Sequence, residues 1–353
     1  MKYRLEEIAT YSNQKIETDK LNYDNYISTE NMLPNKLGVI KATTLPNQRK
    51  VCYYNENNIL ISNIRPYFKK IWFANCEGGC SNDVLNIMIN NKKIVLPKYL
   101  YYILFQDDFF DYVMAGNKGT KMPRGDKEHI MNYIVNLPDI KIQTKIVNIL
   151  EKIDKKMELN NQINDNLYKI IKIQYDKFIN DINEYELVKL KDIANVSSGK
   201  RPKIKGDEFG IPLIGASGVM AYTDNYNFNE DILIIGRVGT LGVVQRYFDK
   251  MWASDNTLTI KTEYSSAMEC YLKTVDYISL NRGSTQPLIT QTDISNLEMK
   301  FNKMKFMKFE NEIKPLRNKI YQNELQNKTL EQLRDTLLPK LMNGEIDIDK
   351  MEI

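Results

Sequence analysis

Four cysteines and one histidine bound the metal and thiol chemistry open to this chain of 353 residues. Cys76 and Cys80 stand near metal-ligand spacing, but no second pair follows, and Cys52, Cys270 and His129 lie far from them in sequence. Buried or incidental thiols are therefore expected, and no metal. His129 sits in the charged run Asp126-Lys-Glu-His129 with no serine elbow, which leaves a Ser/His/Asp arrangement without its nucleophile. Gly236-Arg-Val-Gly-Thr-Leu-Gly242 follows an apolar run, as phosphate loops do. It lacks the spacing of either nucleotide fingerprint, and Val243-Val-Gln-Arg-Tyr247 after it reads as a strand where a phosphate cradle needs a helix N-terminus. Pro138-Asp139 followed by Asp154-Lys-Lys156 imitates the acids and lysine of metal-dependent nucleases. Those acids must converge from adjacent strands on one metal, whereas Asp154 and Lys156 fall mid-helix, on what reads as a solvated flank. There is no Asn-Pro-Pro-aromatic or Asp-Pro-Pro-aromatic motif for amino-group methylation, and no glycine motif for the methyl donor. The chain is expected to catalyse nothing.

Binding chemistry is better represented. Basic residues gather in polar loops: Lys118, Lys121 and Arg124, with Arg65, Lys69 and Lys70 near a strand end; then Lys200, Arg201, Lys203 and Lys205, followed by Arg237, Arg282 and Gln286. Lys and Arg attract phosphates, while Arg, Asn and Gln can bond two atoms of one base edge. Any one of these alone would read as a solvated surface charge. As a set, recurring in equivalent loops, they make a candidate DNA-binding surface.

The loops are equivalent because the chain repeats itself. Lys145–Phe178 aligns without a gap on Lys308–Leu341, with identities at Asn148/Asn311, Lys156/Lys319, Asn160/Asn323, Asn164/Asn327 and Leu167/Leu330. Ahead of these segments, Ile59-Leu60-Ile61 with Ser81, Leu85 and Ile87 answers Ile232-Leu233-Ile234 with Ser254, Leu258 and Ile260. Leu5, Ile8 and Ala9 answer Leu190, Ile193 and Ala194; Gly119 answers Gly283 and Ile130 answers Ile294. Two similar modules on one frame point to bipartite recognition of something long, with DNA the leading candidate.

Strands are predicted at Leu37–Ile40, Val51–Tyr54, Ile59–Ile64, Ile71–Ala74 and Val84–Ile89, then at Ile211–Ile214, Ile232–Ile235, Leu241–Tyr247 and Thr257–Lys261. Shorter helices are predicted from Lys98 to about Val113, opened by Pro97, and near Ala267–Leu280. Each module then hands over to a long amphipathic helix with a heptad-like apolar rhythm. The first, Thr144–Asn180, would span roughly 55 Å. In the second, Pro315 should kink or restart the helix. Asn160 and Asn164, and Asn323 and Asn327, take core-type positions near the helix midpoints, where buried Asn sets register and partner at a cost in stability. Pairing is expected to be antiparallel about a pseudo-twofold axis near Asn160–Asn164, which puts Asn160 near Asn327 and Asn164 near Asn323, with Leu167 and Leu330 in the seam.

The fold class expected is α+β: residues 1–142 a first recognition module, 143–182 a central spacer helix, 183–303 a second module, 304–345 a C-terminal spacer helix. At 42% hydrophobic and 27% charged residues the composition is that of a soluble globular protein, and the net charge of +4 permits nucleic-acid binding without arguing for it. The first thirty residues carry charges throughout and no run of about 18 apolar residues exists, so neither signal peptide nor membrane span is expected. A cytoplasmic location follows as an expectation.

Ile146-Val-Asn-Ile-Leu-Glu-Lys-Ile153 with Glu158-Leu-Asn-Asn-Gln-Ile-Asn164, and Thr329-Leu-Glu-Gln-Leu-Arg-Asp335 running to Leu338-Pro-Lys-Leu-Met-Asn-Gly-Glu-Ile346, resemble the DNA specificity subunit of type I restriction–modification systems. Ile211-Pro-Leu-Ile-Gly215 and Gly283-Ser-Thr-Gln286 are also similar to that family. The resemblance covers nearly the whole chain and is strongest at the helices. It implies two target-recognition domains, each reading one half of a split, asymmetric site in double-stranded DNA. The helices would be the spacer and the docking surface for two methyltransferase subunits, with a motor–nuclease restriction subunit joining for cleavage. S-adenosylmethionine, ATP and magnesium would belong to those partners. A structural adaptor whose helical pair scaffolds other proteins, without sequence-specific DNA binding, is the alternative.

Overall fold

The runs Ile59–Ser62 and Ile232–Gly236 are buried along their whole length and become inner strands of two four-stranded sheets. Successive side chains of a strand leave opposite faces, and here both faces are covered. Ile59 and Ile61 enter one apolar core and Leu60 another. Leu233 and Ile235 part from Ile232 and Ile234 in the same way. The runs are therefore continuous where a half-exposed strand would alternate.

The structure is a computed structural model and describes residues 1–117, 122–206, 209–283 and 285–346. The chain divides into two compact units, Met1–Glu158 with Gln326–Ile353, and Leu159–Leu325. In the first, β1 (Lys2–Arg4), α1 (Leu5–Ile8), β2 (Ala9–Tyr11), β3 (Lys15–Glu17), β4 (Tyr26–Ile27), β5 (Lys50–Tyr54), β6 (Ile59–Ser62), β7 (Ile71–Phe73), β8 (Gly78–Cys80) and β9 (Val84–Ile89) come first. Then follow α2 (Pro97–Leu104), α3 (Asp107–Ala115), α4 (Lys127–Met131), β10 (Ile134–Asn136) and the start of α5 (Ile140–Asn180). The sheets run β2-β9-β6-β7 and β3-β5-β8-β4, and β10 closes antiparallel on β1.

The second unit takes up the rest of α5, then β11 (Glu186–Lys189), α6 (Leu190–Ile193), β12 (Asn195–Ser198), β13 (Ile211–Gly215), β14 (Gly218–Thr223), β15 (Ile232–Gly236), β16 (Val244–Tyr247), β17 (Trp252–Ala253) and β18 (Thr257–Lys261). α7 (Ser265–Leu272), α8 (Gln291–Ser295), β19 (Glu298–Phe301) and the start of α9 (Lys303–Met342) complete it. Its main sheet, β12-β18-β15-β16, repeats the order of β2-β9-β6-β7, and β19 closes on β11 as β10 does on β1. The fold is α+β, with the duplication carried through to strand order.

Each unit also holds a part of both long helices. In the first, Leu338 and Leu341 of α9 join Ile146 and Leu150 of α5 in the core, and Arg334 pairs with Asp154 at 3.4 Å. Gln143 anchors the start of α5: fully buried, its amide accepts from the Leu96 N–H and donates to the Ile94 and Pro138 carbonyls. In the second, Phe178 of α5 stacks on Phe309 of α9 at 4.6 Å, and the Asn323 amide donates to the Asn164 carbonyl oxygen at 2.8 Å. Early residues of one helix meet late residues of the other in both units.

Several sequence expectations need correction. Leu37–Ile40 is no strand: Asn35, Lys36 and Gly38 have positive φ, only an isolated Met32–Val39 bridge forms, and Leu37 and Ile40 are exposed. The helix expected from Lys98 to Val113 is two, α2 and α3, because Gln106 is extended and Asp107 and Asp108 make a new acidic first turn. α7 ends at Leu272, where the Tyr277 hydroxyl takes the freed Leu272 carbonyl. The strand expected from Leu241 begins at Val244, after a turn at Gly242. α9 is one helix through Pro315, so the proline does not restart it. The strands β4, β8, β14, β17 and β19 were not signalled, being short or lacking apolar alternation.

Candidate nucleic-acid interface

In the second unit three separate loops are sewn together at one end of the main sheet. Backbone N–H groups of Gly199 and Lys200 donate to Thr257 and Ala253, fixing the loop after β12. The loop after β15 joins the segment before α8 through Gly239 N–H to the Pro287 carbonyl (3.0 Å), Ile289 N–H to the Arg237 carbonyl (2.9 Å) and a Val238–Leu288 bridge. The Arg237 guanidinium donates to the Ser198 hydroxyl at 3.4 Å, linking the first loop to the second. Lys200 and Arg201 are thereby brought beside the strip that carries Arg237 and Gln286, with Lys203 and Lys205 farther along the same loop. Lys200, Arg201, Lys203 and Lys205 are exposed and form no ion pair among the described residues. Arg237 is half-buried, and its Nε is enclosed without a partner. Gln286 is exposed on the same strip.

Arg282 is a different case. Its guanidinium grips Asp293, whose side chain caps α8 together with Thr290. Burial works to raise the Asp293 carboxyl, but the Thr290 hydrogen bonds and the Arg282 guanidinium outweigh it and hold it below the usual range. Arg282 therefore buttresses a helix end, and its charge is largely matched.

The first unit repeats the stitching. Arg65 N–H donates to the Pro123 carbonyl at 2.8 Å, Gly125 N–H to Asn63 at 3.2 Å, and Ile64 bridges Arg124. Arg65 is exposed and forms no ion pair among the described residues. Arg124 pairs with Asp83 at 3.1 Å while staying half exposed. Lys69 shares Asp107 with Lys36. Lys70 donates to the Thr29 carbonyl at 2.6 Å, and burial lowers its ammonium below the usual lysine value, so it braces a loop. Lys118 and Lys121 lie outside the described residues. Sequence reasoning passed over Tyr67 and Phe68, exposed between the chosen cations Arg65 and Lys69; an aromatic pair in a basic loop was the available signal.

The groups that imitate catalysis are structural. His129 stacks on Tyr112 at 4.1 Å, its ring nitrogen bonding the Tyr112 carbonyl. Cys52 faces Cys80 across β5 and β8, and the two thiols shift each other, lowering Cys52 and raising Cys80, with burial adding to the rise of Cys80. No cluster of three or more His, Cys, Asp or Glu side chains able to hold a metal occurs among the described residues. Asp154, expected on a solvated flank, is instead half-buried: it accepts from Tyr102 at 2.7 Å and pairs with Arg334. Of the helix-seam residues, Asn160, Asn164 and Asn323 are buried, Asn327 donates to the Met157 carbonyl at 3.4 Å, and Leu167 and Leu330 are half-buried. No helix among the described residues is long and apolar enough to cross a membrane.

Comparison with known proteins agrees with this internal duplication. The family model described as the type I restriction modification DNA specificity domain matches twice, over residues 1–169 and 182–305. The chain is 28% identical over 171 residues to the type I restriction enzyme HindI specificity subunit of Haemophilus influenzae, covering 45% of this chain and 36% of that protein. It is 22% identical over 307 residues to the MjaIX specificity subunit of Methanocaldococcus jannaschii, covering 73% of this chain and 71% of that protein. Among solved structures, the S subunit of a type I restriction–modification system from M. genitalium shares the fold with a TM-score of 0.61 at 16% identity, covering 97% of this chain and 95% of that one. With both modules matched by one family model, the chain belongs to the type I restriction–modification DNA specificity family.

Proposed function

We propose that this chain is the non-catalytic, DNA-reading component of a type I restriction–modification system, each unit reading one block of a split, asymmetric target. One observation carries the reading: the same loop stitching, Arg65 to Pro123 and Gly239 to Pro287, recurs in both units beside exposed cations. Polyanionic DNA presents regularly spaced phosphates and base edges, which such a cationic, amide-bearing rim fits. On this reading Lys200, Arg201, Lys203, Lys205, Arg237, Gln286, Arg65 and Arg124 face the duplex. The long helices form an antiparallel coiled coil about a pseudo-twofold axis and act as spacer. Two methyltransferase subunits and a motor–nuclease subunit dock on the chain in the cytoplasm, bringing S-adenosylmethionine, ATP and magnesium with them.

The test is a map of methylated bases in DNA from cells that express the chain with its methyltransferase partner. Two short blocks separated by a fixed unread gap are expected. In vitro, replacing Lys200, Arg201 and Lys203 together by Ala should weaken binding to all duplexes and flatten the salt dependence by about one unit of slope for each phosphate no longer neutralised. A continuous methylated site, or no sequence preference, would overturn the reading; an unchanged slope would turn that loop away from DNA.

A further inference from the structure

We propose that Tyr67 and Phe68 form an aromatic wedge that stacks on bases of the block read by the first unit, an inference that rests on the DNA-reading function above. Both side chains are exposed, Tyr67 at 46% and Phe68 at 37%, and their rings pack on each other at 4.6 Å. They stand at the tip of one tight turn whose root, Pro66, is buried.

The backbone of that turn is held in a conformation that side chains resist. Arg65 and Lys69, which flank the tip, have φ of 50° and 51°, in the left-handed region that favours glycine. The corresponding loop of the second unit avoids this cost. There the hydrogen bond from Arg65 to Pro123 is answered by Gly239 to Pro287, and the two left-handed positions are Gly239 and Gly242, with φ of 78° and 76°. The tip between those glycines carries Leu241, which packs partly buried against the core. The first unit thus has Arg and Lys at its left-handed positions where the second has glycines, with three residues between them in place of two, and it turns two aromatic rings outward where the second packs a leucine side chain inward. Asn35 and Lys36, also left-handed, brace it from the side, their N–H groups donating to the Phe68 and Lys69 carbonyls at 2.8 and 2.9 Å. Backbone strain of this kind persists where the surroundings over-determine it, and it collects at functional positions.

The charge around the rings selects the occupant. Arg65 has no counter-ion among the described residues, Lys36 and Lys69 share Asp107, and the Lys70 ammonium lies 5.8 Å from the Phe68 ring centre. Four cations against the one carboxylate they touch make a positive collar around a rigid apolar tip. A base step offers flat apolar faces between two phosphates, and side chains inserted there unstack it. Because unstacking costs differ between steps, the wedge would add sequence preference without hydrogen bonds to base edges.

The experiment uses the full chain in complex with its methyltransferase partner and a duplex bearing the mapped target. 2-Aminopurine, whose fluorescence rises on unstacking, replaces one base at a time in the first block. Wild type should brighten at one step. Tyr67→Ala with Phe68→Ala should abolish that signal and weaken binding about 5- to 150-fold per base unstacked, the range that base–aromatic stacking spans. The salt slope and the choice of second block should not change. Tyr67→Leu with Phe68→Leu, which keeps apolar bulk but removes the flat rings, should weaken binding as the Ala pair does, because an aliphatic side chain cannot stack on a base, while Tyr67→Phe keeps both affinity and signal. Specific binding with unchanged affinity and fluorescence in the Ala and Leu variants would overturn the wedge and leave the DNA reading standing. No sequence preference by wild type would defeat the reading itself. Normal DNA binding with loss of the methyltransferase subunit would make the tip a protein-docking surface, overturning the wedge.

Discussion

Glu269 gathers three cations around one buried carboxylate. It lies on α7 at 3% exposure and meets Lys273 at 2.6 Å, Arg246 of β16 at 3.4 Å and Arg317 of α9. Burial by itself would raise its carboxyl, but Arg317, Lys273 and Arg246 outweigh it and hold it below the usual range. The cluster ties the recognition module to its helix. In the repeat, Arg317 corresponds to Asp154, which makes the analogous tie to Tyr102 of α2 and Arg334 with the opposite charge. Removing one member of a buried pair strands the rest, so Glu269→Gln should destabilise the second unit by about 3–5 kcal/mol. Breaking the exposed Lys172–Asp176 pair should cost only about 0.3–0.5 kcal/mol. Urea unfolding followed by hydrogen exchange at α7 would show the difference, and equal effects would defeat it. A carboxyl with a lowered folded pKa contributes stability above its unfolded value of 4.5, and loses it as pH falls through the lowered one. The wild-type advantage over Glu269→Gln should therefore shrink on acidification below about pH 4.5.

At the scale of elements, the long helices depend on a polar contact in an apolar seam. The Asn323 amide donates to Asn164 at 2.8 Å, while the Asn164 amide reaches the Ile320 carbonyl at 3.4 Å. Leu167, Ile171 and Ile320 supply the hydrophobic contact nearby. Truncating one member leaves a buried acceptor unpaired, so Asn323→Ala should cost about 1–3 kcal/mol. Replacing both Asn164 and Asn323 by Leu should be nearly neutral or stabilising, because no polar group is then stranded. A thermal-denaturation cycle over the four variants checks this. Strict additivity would mean that the two amides do not depend on each other. On the proposed pairing, the two amides would set alignment more than strength, the usual role of Asn at a core position of paired helices.

At the scale of the whole molecule, the proposed spacer role has a geometric consequence. α5 and α9 each contribute to both compact units, which divide at Glu158/Leu159 and Leu325/Gln326. Seven residues inserted at each of these points would lengthen both helices by about 10 Å while keeping the apolar phase. The unread gap between the two target blocks should then grow by about three base pairs, at 3.4 Å per step along a strand, with both blocks unchanged. Methylation maps of wild type and insertion variant give the answer. A folded, active variant with the original gap would show that the helices do not set the spacing.

Much of this protein is written locally and can be read without coordinates. The apolar runs at Ile59 and Ile232 specify buried strands because period-two alternation is absent from a strand covered on both faces. The 163-residue repeat of Asn160/Asn323 and Asn164/Asn327 specifies two like helices, and the duplicated strand pattern specifies two like modules. What required the tertiary structure is the fate of individual side chains whose partners lie far away in the chain. Lys70 and Arg282 look like free loop cations until Thr29 and Asp293 arrive to occupy them. Asp154 looks solvated until Tyr102 and Arg334 close over it. Arg65 and Lys69 read as ordinary loop residues, and only the folded backbone shows them in the left-handed region, holding Tyr67 and Phe68 clear of the core. Pattern and repeat depend on neighbours in sequence, so they are legible there. Occupancy, strain and exposure depend on neighbours in space, and those are decided only when distant segments meet.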